Sequence, residues 1–423
     1  MNNLAYDIKF NLLIKEHLDD IDSLNIFRLN KTHYTKIKFY KIKQTVLYQH
    51  LNRFKNAIIV NVKGVKTIQQ LNKLPKSITH LTFSMNFNHI VDYLPNSITH
   101  LKFGCNFDKE INNLPNSITH LKLGDKFNLP IDNLPHSITH LTFGYSFNQP
   151  VDNLPKSIII LNFGTCFNKP VNNLPNSIAH LKFGAAFNQS VDNLPNSITH
   201  LTFGWNFNQT VDKLAKSITH LKFDEKFNQP IAQLPHFVTH LRLGYWFNHP
   251  MNDLPKSIVE LEWGWSEFGS LSSCLPNPSP YLKFVPNSIT HLILGHHFNQ
   301  VIVKDLLPNS ITHLEFGSSF NQYIDSNNLP PYITHLKLDS LYFNQPVDNL
   351  PNSITHLVLG YEFNQSIDKL PHSITHLTLG RRFNQPIANI PNSLIHLKLG
   401  DKLIIQPNIS TLQSIFVHME DVD

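Results

Sequence analysis

From Leu74 onward one phrase of twenty residues, LPxSITHLxFGxxFNxxVDN, recurs along the chain. Its His-Leu step falls at His80, His100, His120, His140, His180, His200, His220 and His240. Two further units keep the spacing with Ile160 and Glu260 in place of the histidine. After Glu260 the interval widens to 31 residues, and the units resume at His291, His313, His335, His356, His376 and His396. The result is 16 units, 14 of them with histidine. A fixed short period constrains the fold strongly: one unit cannot bury its hydrophobic face alone, so neighbours have to stack.

Within a unit, SITHLTFS (Ser77 to Ser84) alternates Leu81 and Phe83 with His80 and Thr82. Period-two alternation predicts a short, half-buried strand. Twenty residues leave no room for a crossover helix, so the remainder of each unit is turn and extended chain. Proline supports this, standing at the LP site in 15 of 16 units, where its fixed φ and missing N–H suit a bend and oppose a helix. Each unit therefore reads as one solenoid coil, its strand parallel to the next at about 4.8 Å. The inward slice of the first coil is Ile78, Leu81, Phe83, Phe87, Val91 and Leu94. The second Phe recurs from Phe87 to Phe383 and predicts a continuous aromatic spine. The Asn that follows it in most units, and Ser77 with its equivalents, are expected to bond the backbone of their own or adjacent turns.

Charged residues are only 15% of the chain, so the surface is built mostly from Asn, Ser, Thr, Gln and His. The formal charge of +5 is mild for 423 residues, and a nucleic-acid binder usually concentrates its basic side chains on one face. The dense basic stretch from Lys31 to Lys43 reads as a solvated helix face. Cys105, Cys166 and Cys274 form no CxxC pair and are odd in number, which fits a reducing compartment better than a disulfide framework. No signal-peptide core opens the chain, and no apolar run reaches the length needed to span a bilayer. A cytoplasmic protein without membrane or nucleic-acid partners is expected, in the host cytoplasm if the source is viral. No HExxH, P-loop, GxGxxG or Ser-His-Asp pattern occurs. Every Ser, His and Asp that could form such a triad is accounted for by repetition, whereas a catalytic site is a unique constellation. We therefore expect no enzymatic activity, no cofactor and no metal.

The run P-x-S-I-x-x-L-x-F resembles the first half of a leucine-rich repeat of the short subtype with LP in its turn, although FNxxV replaces that family's NxL. The complete unit, FNQPIxxLPxSITHLxLG, is similar to the FNIP repeat, a family common in social amoebae and in giant viruses of amoebae. The resemblance covers residues 74–400 and implies a protein-interaction role. Ahead of it, Leu4 to Tyr34 resembles an F-box: Leu4, Asp7 and Ile8 stand at its opening, Leu18-Asp19 at the end of its first helix, Asp22 and Leu24 follow, and Phe27 to Lys31 fits the close. Ala5 stands where that family has Pro, and the first helix is longer by about two residues. The resemblance implies docking of Leu4, Ile8, Leu18, Leu24 and Leu29 onto a Skp1-like linker of a cullin-type ubiquitin ligase. The alternative is a stand-alone scaffold whose N-terminus only caps the solenoid.

The expected fold is mainly β: a leucine-rich-repeat-like solenoid of about 16 coils with one parallel sheet, preceded by a small α-helical N-terminal domain. Residues 1–40 form the F-box-like segment and 41–73 a junction and cap, in which Ala57 to Gly64 reads as a first, irregular strand. Residues 74–400 form the solenoid, and 401–423 a closing cap (Leu412 to His418) with an acidic tail. The insertion near 266–285 carries Pro276, Pro278 and Pro280, so it is expected to leave the stack as a surface loop while the stack continues. Fourteen histidines then line the concave sheet face as a column packed on, or bonded to, neighbouring Thr and His. Beside them runs the varied position after the core Leu, where specificity can be written. Its basic members Lys102, Lys122, Lys182, Lys222 and Arg242, with Trp205 and Trp246 just beyond the strands, are the candidate partner-binding residues. The aromatic cluster Tyr245, Trp246, Trp263 and Trp265 makes the adjoining insertion a second candidate. Together with the F-box resemblance of the N-terminal segment, this surface implies a monomeric substrate adaptor.

Overall fold

The computed structural model describes residues 40–47, 57–265, 285–387, 389–400 and 402–405. Among them one sheet of 19 strands runs the length of the molecule. Strands β1 (Tyr40–Leu47) and β2 (Ala57–Val65) lead into the one-turn helix α1 (Ile68–Leu71). The sixteen repeat strands follow, from β3 (His80–Phe83), β4 (His100–Lys102) and β5 (His120–Lys122) to β10 (His220–Lys222), β11 (His240–Gly244), β12 (Glu260–Trp265) and β13 (His291–Leu294), ending at β18 (His396–Leu399). Each strand pairs in parallel with the next, His80 facing His100 and His100 facing His120. Only β19 (Lys402–Ile405) pairs antiparallel, folding back on β18.

A twenty-residue coil closes because its bends are local and its hydrogen bonds run to the neighbouring coil. At the LP bend, Ile98 N–H donates to the Pro95 carbonyl at 3.1 Å. Thr99 and His100 N–H then both donate to the Thr79 carbonyl one coil back, at 2.8 and 2.9 Å. Past the strand, Phe107 N–H turns back to Gly104, and Asn106 N–H donates to Met85 of the coil before, at 2.9 Å. Side chains complete the bonding as anticipated. Ser97 Oγ donates to the Ile78 carbonyl at 2.6 Å, and Ser117 repeats this on Ile98. Asn128 Oδ1 accepts from Asn148 N–H at 2.8 Å, and the same bond links Asn148 to Asn168 and Asn168 to Asn188.

The interior is a single apolar column. All six residues of the expected first slice are buried. The second-Phe rings stack from coil to coil with centroids 6.4 Å apart at Phe87–Phe107 and 6.1 Å at Phe187–Phe207. Where the first position is also Phe, its ring stacks face to face on the second within the coil, 3.8 Å for Phe183–Phe187. The Gly that follows most strands suits a close approach between coils: a Cβ on Gly184 would clash with the Gly164 carbonyl oxygen.

The ends differ from expectation. The helical domain of residues 1–40 lies outside the described residues apart from Tyr40, which opens a strand. The close of the basic stretch read as a helix face is therefore β structure, because Tyr40 and Ile42 alternate with Lys41 and Lys43 in the two-residue period of a sheet. The irregular strand expected over 57–64 is present as β2, whose register shifts between Lys63 and Val65 where Gly64 takes φ of 85°. At the C-terminus Leu412 to His418 lie outside the described residues, and β19 occupies the end of the described sheet. Residues 266–284 also lie outside them. Across that interval β12 and β13 remain in parallel register, Glu260 facing His291 and Trp263 facing Leu294, so the stack continues through the insertion.

Candidate functional site

The alternation that buries Leu81 and Phe83 sends His80 and Thr82 to the other face of the sheet, and the pattern repeats in every strand. On that face the histidines form stacked ladders. Ring centroids are 4.0 Å apart at His80–His100 and His100–His120, and 3.9 Å at His120–His140. Ile160 interrupts the column. His180 to His240 then stack at 4.1–4.2 Å. Glu260 interrupts it again, its carboxylate 3.7 Å from His240 Nε2, and His291 to His396 form the third ladder at 4.0–4.6 Å.

Most rings are held by the preceding threonine, His180 and His396 following Ala179 and Ile395 instead: Thr99 Oγ1 lies 2.9 Å from His100 Nδ1 and 3.2 Å from the Thr79 carbonyl of the previous coil. A hydroxyl has one proton, so where it donates to that carbonyl it accepts from Nδ1–H, and Nε2 is left as an acceptor. Partial burial and the proximity of other imidazoles disfavour the charged form. Burial, then the neighbouring histidines, push His100 and His313 down to about 4. His120, His335 and His356 are lowered for the same reasons, and His80 by burial alone. His200 and His220 are lowered by burial, by other histidines and by Lys222 beside them. His80, His100, His120, His200, His220, His313, His335 and His356 are therefore held toward the neutral form. Among the described residues no group of three or more His, Cys, Asp or Glu is disposed to hold a metal ion.

The varied column lies alongside in strand register: Lys63, Thr82, Lys102, Lys122, Thr142, Asn162, Lys182, Thr202, Lys222, Arg242 and Glu262. Lys102, Lys122, Lys182 and Lys222 are exposed on it, as the sequence suggests, and Lys63 of β2 extends the row by one strand that the repeat pattern does not reach. Arg242 is different. Its Nε donates to Glu262 Oε2 at 2.6 Å and the pair is largely covered, so the guanidinium is already engaged. Beyond the insertion the column is mixed, with Lys337 held 2.7 Å from Glu315.

The aromatic candidates do not share this face. Trp205 and Trp246 sit in the turn after their strands, half-buried and exposed respectively, and their backbones pair with Lys226 and Glu225 of adjacent coils. Tyr245 and Trp263 are buried. Tyr245 packs edge-on against His297 with centroids 5.0 Å apart, so a coil before the insertion touches the first coil after it. Trp263 is core because it faces Leu243 and Leu294 on the inward side. Sequence reasoning missed the Arg242–Glu262 pair; its signal was Glu at both outward positions of one unit, directly beside His240 and Arg242. The F-box-like residues Leu4, Ile8, Leu18, Leu24 and Leu29 lie outside the described residues.

Comparison with known proteins adds a family. The FNIP Repeat model matches in overlapping segments covering residues 69–266 and 274–402. Among solved structures, one described as CroV588, a novel circular LRR protein, is 39% identical with a TM-score of 0.59, over 81% of this chain and 59% of that one. The chain thus spans about three-fifths of the length of CroV588. YopM from Yersinia enterocolitica is also matched, at 15% identity and a TM-score of 0.41, over 82% of this chain and 84% of that one. No curated protein matches significantly.

Proposed function

The chain belongs to the FNIP repeat family, and from that premise we propose that it is a substrate adaptor: the solenoid captures a protein on its outward sheet face, and the N-terminal segment joins it to a ubiquitin ligase. The coarser half of this reading follows from the architecture. A leucine-rich-repeat-like solenoid offers an extended, regular surface, and such scaffolds act by binding other proteins. The observation that carries the face assignment is the contrast between two columns on one sheet. The histidine position is nearly invariant along the stack, with its rings occupied by one another and by Thr. The neighbouring position changes from strand to strand and leaves Lys102, Lys122, Lys182 and Lys222 exposed.

The finer half rests on the F-box resemblance of residues 4–34. It draws support from β1 and β2, which extend the sheet past β3, so the first repeat does not rely on residues 1–39 to cover its edge. In this reading Leu4, Ile8, Leu18, Leu24 and Leu29 dock on a Skp1-like protein, and the chain performs no chemistry itself. The test is co-purification of the full chain with a Skp1-like protein, against Leu18→Asp with Leu24→Asp. The adaptor reading expects binding by the parent and loss in the double variant with the far-ultraviolet dichroism unchanged. Failure of the parent to bind would leave the stand-alone scaffold.

A further inference from the structure

The sheet face is electrically divided. From β2 to β10 its varied column carries Lys63, Lys102, Lys122, Lys182 and Lys222, all exposed, interleaved with Thr82, Thr142, Asn162 and Thr202. Among the described residues none of these five ammonium groups is in an ion pair. The row ends at Arg242, neutralised by Glu262, and at His240, which faces Glu260. A carboxylate does border the row: Asp125, in the turn after β5, shares a shallow hollow with Lys122. The span from β2 to β10 is eight strand spacings, or about 40 Å, which an extended polypeptide covers with about a dozen residues.

We propose that this row is a docking track for an extended acidic polypeptide segment laid across the strands, its carboxylates meeting the lysines and its backbone meeting the Thr, Asn and imidazole edges. This deepens the sheet-face reading above and rests on it. Charge complementarity sets the sign of the partner. Ring geometry sets its class. A single-stranded nucleic acid needs free aromatic faces on which bases stack, and the imidazoles of this face are stacked on each other within 4.2 Å in both ladders of the span. What they present is edges, which suit hydrogen bonding to a peptide. The flat, stacked ladder also lets a chain lie close to the lysines without meeting side-chain bulk.

The experiment uses the full chain and fluorescence anisotropy of a labelled peptide of alternating glutamate and serine, long enough to span the row. One variant combines Lys102→Gln, Lys122→Gln, Lys182→Gln and Lys222→Gln. A matched control removes the same number of charges from the turn before the strands, with Lys76→Gln, Lys156→Gln, Lys216→Gln and Lys256→Gln. An exposed pair is worth roughly a factor of two, so the track variant should bind on the order of tenfold more weakly and the control almost as the parent. A photoreactive version of the peptide should cross-link to β3–β10. Equal weakening by both variants, no saturable binding, or tighter binding of an oligothymidylate would each overturn the proposal. If the peptide fails while a natural partner still cross-links to β3–β10, only the acidic-partner inference falls. If a natural partner cross-links elsewhere, the sheet-face reading falls with it.

Discussion

At Phe187 the ring lies between Phe167 and Phe207, both 6.1 Å away, and against Phe183 at 3.8 Å. Truncation to Ala empties a site whose neighbours are fixed by the stack, and we expect Phe187→Ala to cost about 3–5 kcal/mol. Asn188 acts differently: its Oδ1 accepts from Asn208 N–H at 2.9 Å and Gln209 Nε2 at 3.1 Å. Asn188→Ala strands the Asn208 N–H, while Gln209 Nε2 keeps the Asn188 carbonyl at 3.2 Å, and should cost about 1–3 kcal/mol. Thr202→Ala, on the solvent side of β9 (His200–Thr202), should stay within about 0.5 kcal/mol. Urea midpoints rank the three, and equal midpoints would contradict the face assignment. Gly184→Ala tests the close approach of coils. Its Cβ would meet the Gly164 carbonyl, so the coils must spread, at about 1–3 kcal/mol. Asp224, which holds the same position over Gly204, indicates that one coil can do so. The Phe and Asn roles were legible because both residues recur at fixed offsets from a strand whose inward side is set by alternation. The imidazole–threonine bond was only half legible. Spacing places Thr99 beside His100, but the 2.9 Å contact depends on the rotamers the stacked rings impose.

At the scale of the strand ladder, histidine stacking makes stability depend on pH. Burial and neighbouring imidazoles hold His100 and His313 near 4 in the folded chain, while unfolding returns them to about 6.5. The unfolded chain therefore binds protons that the ladders refuse, which favours unfolding as protons are added. This contribution is full above about pH 6.5, is lost as pH falls toward about 4, and levels off below. His80, His120, His200, His220, His335 and His356 are lowered as well and act in the same direction. Removing the two most perturbed rings with His100→Gln and His313→Gln should flatten the decline in unfolding free energy between pH 6.5 and 4 relative to the parent. Carboxylate titration is common to both proteins and cancels in the difference, so identical slopes would show that the stacked rings titrate normally. The interruptions at Ile160 and Glu260 divide the column into three ladders, and this was readable directly from the two units that lack histidine. The closure of Glu260 on His240 and of Glu262 on Arg242 was not, since it needs the strands in register to bring residues twenty positions apart together.

Over the whole molecule, stability is a sum of coils and their interfaces, and insertions that respect the register are cheap. Because β12 and β13 stay paired across the insertion and Tyr245 touches His297 over it, deleting residues 270–280 should leave the thermal midpoint nearly unchanged. A large drop, read by calorimetry, would mean that those residues belong to the stack. By itself the sequence determined the coil: its length, its inward slice, its strand, its bends, and the number of copies. Those follow from a period and an alternation, which are properties of neighbours along the chain. Tertiary structure alone decided what lies beyond the repeats and between coils. β1 closes a region read as a helix face: its residues alternate in the sheet period, but only the edge of β2, with its row of unpaired backbone groups, supplies the partner that makes it a strand. Which lysines stand bare, and which cation is already paired, was likewise settled between coils, where twenty residues of separation become one strand spacing.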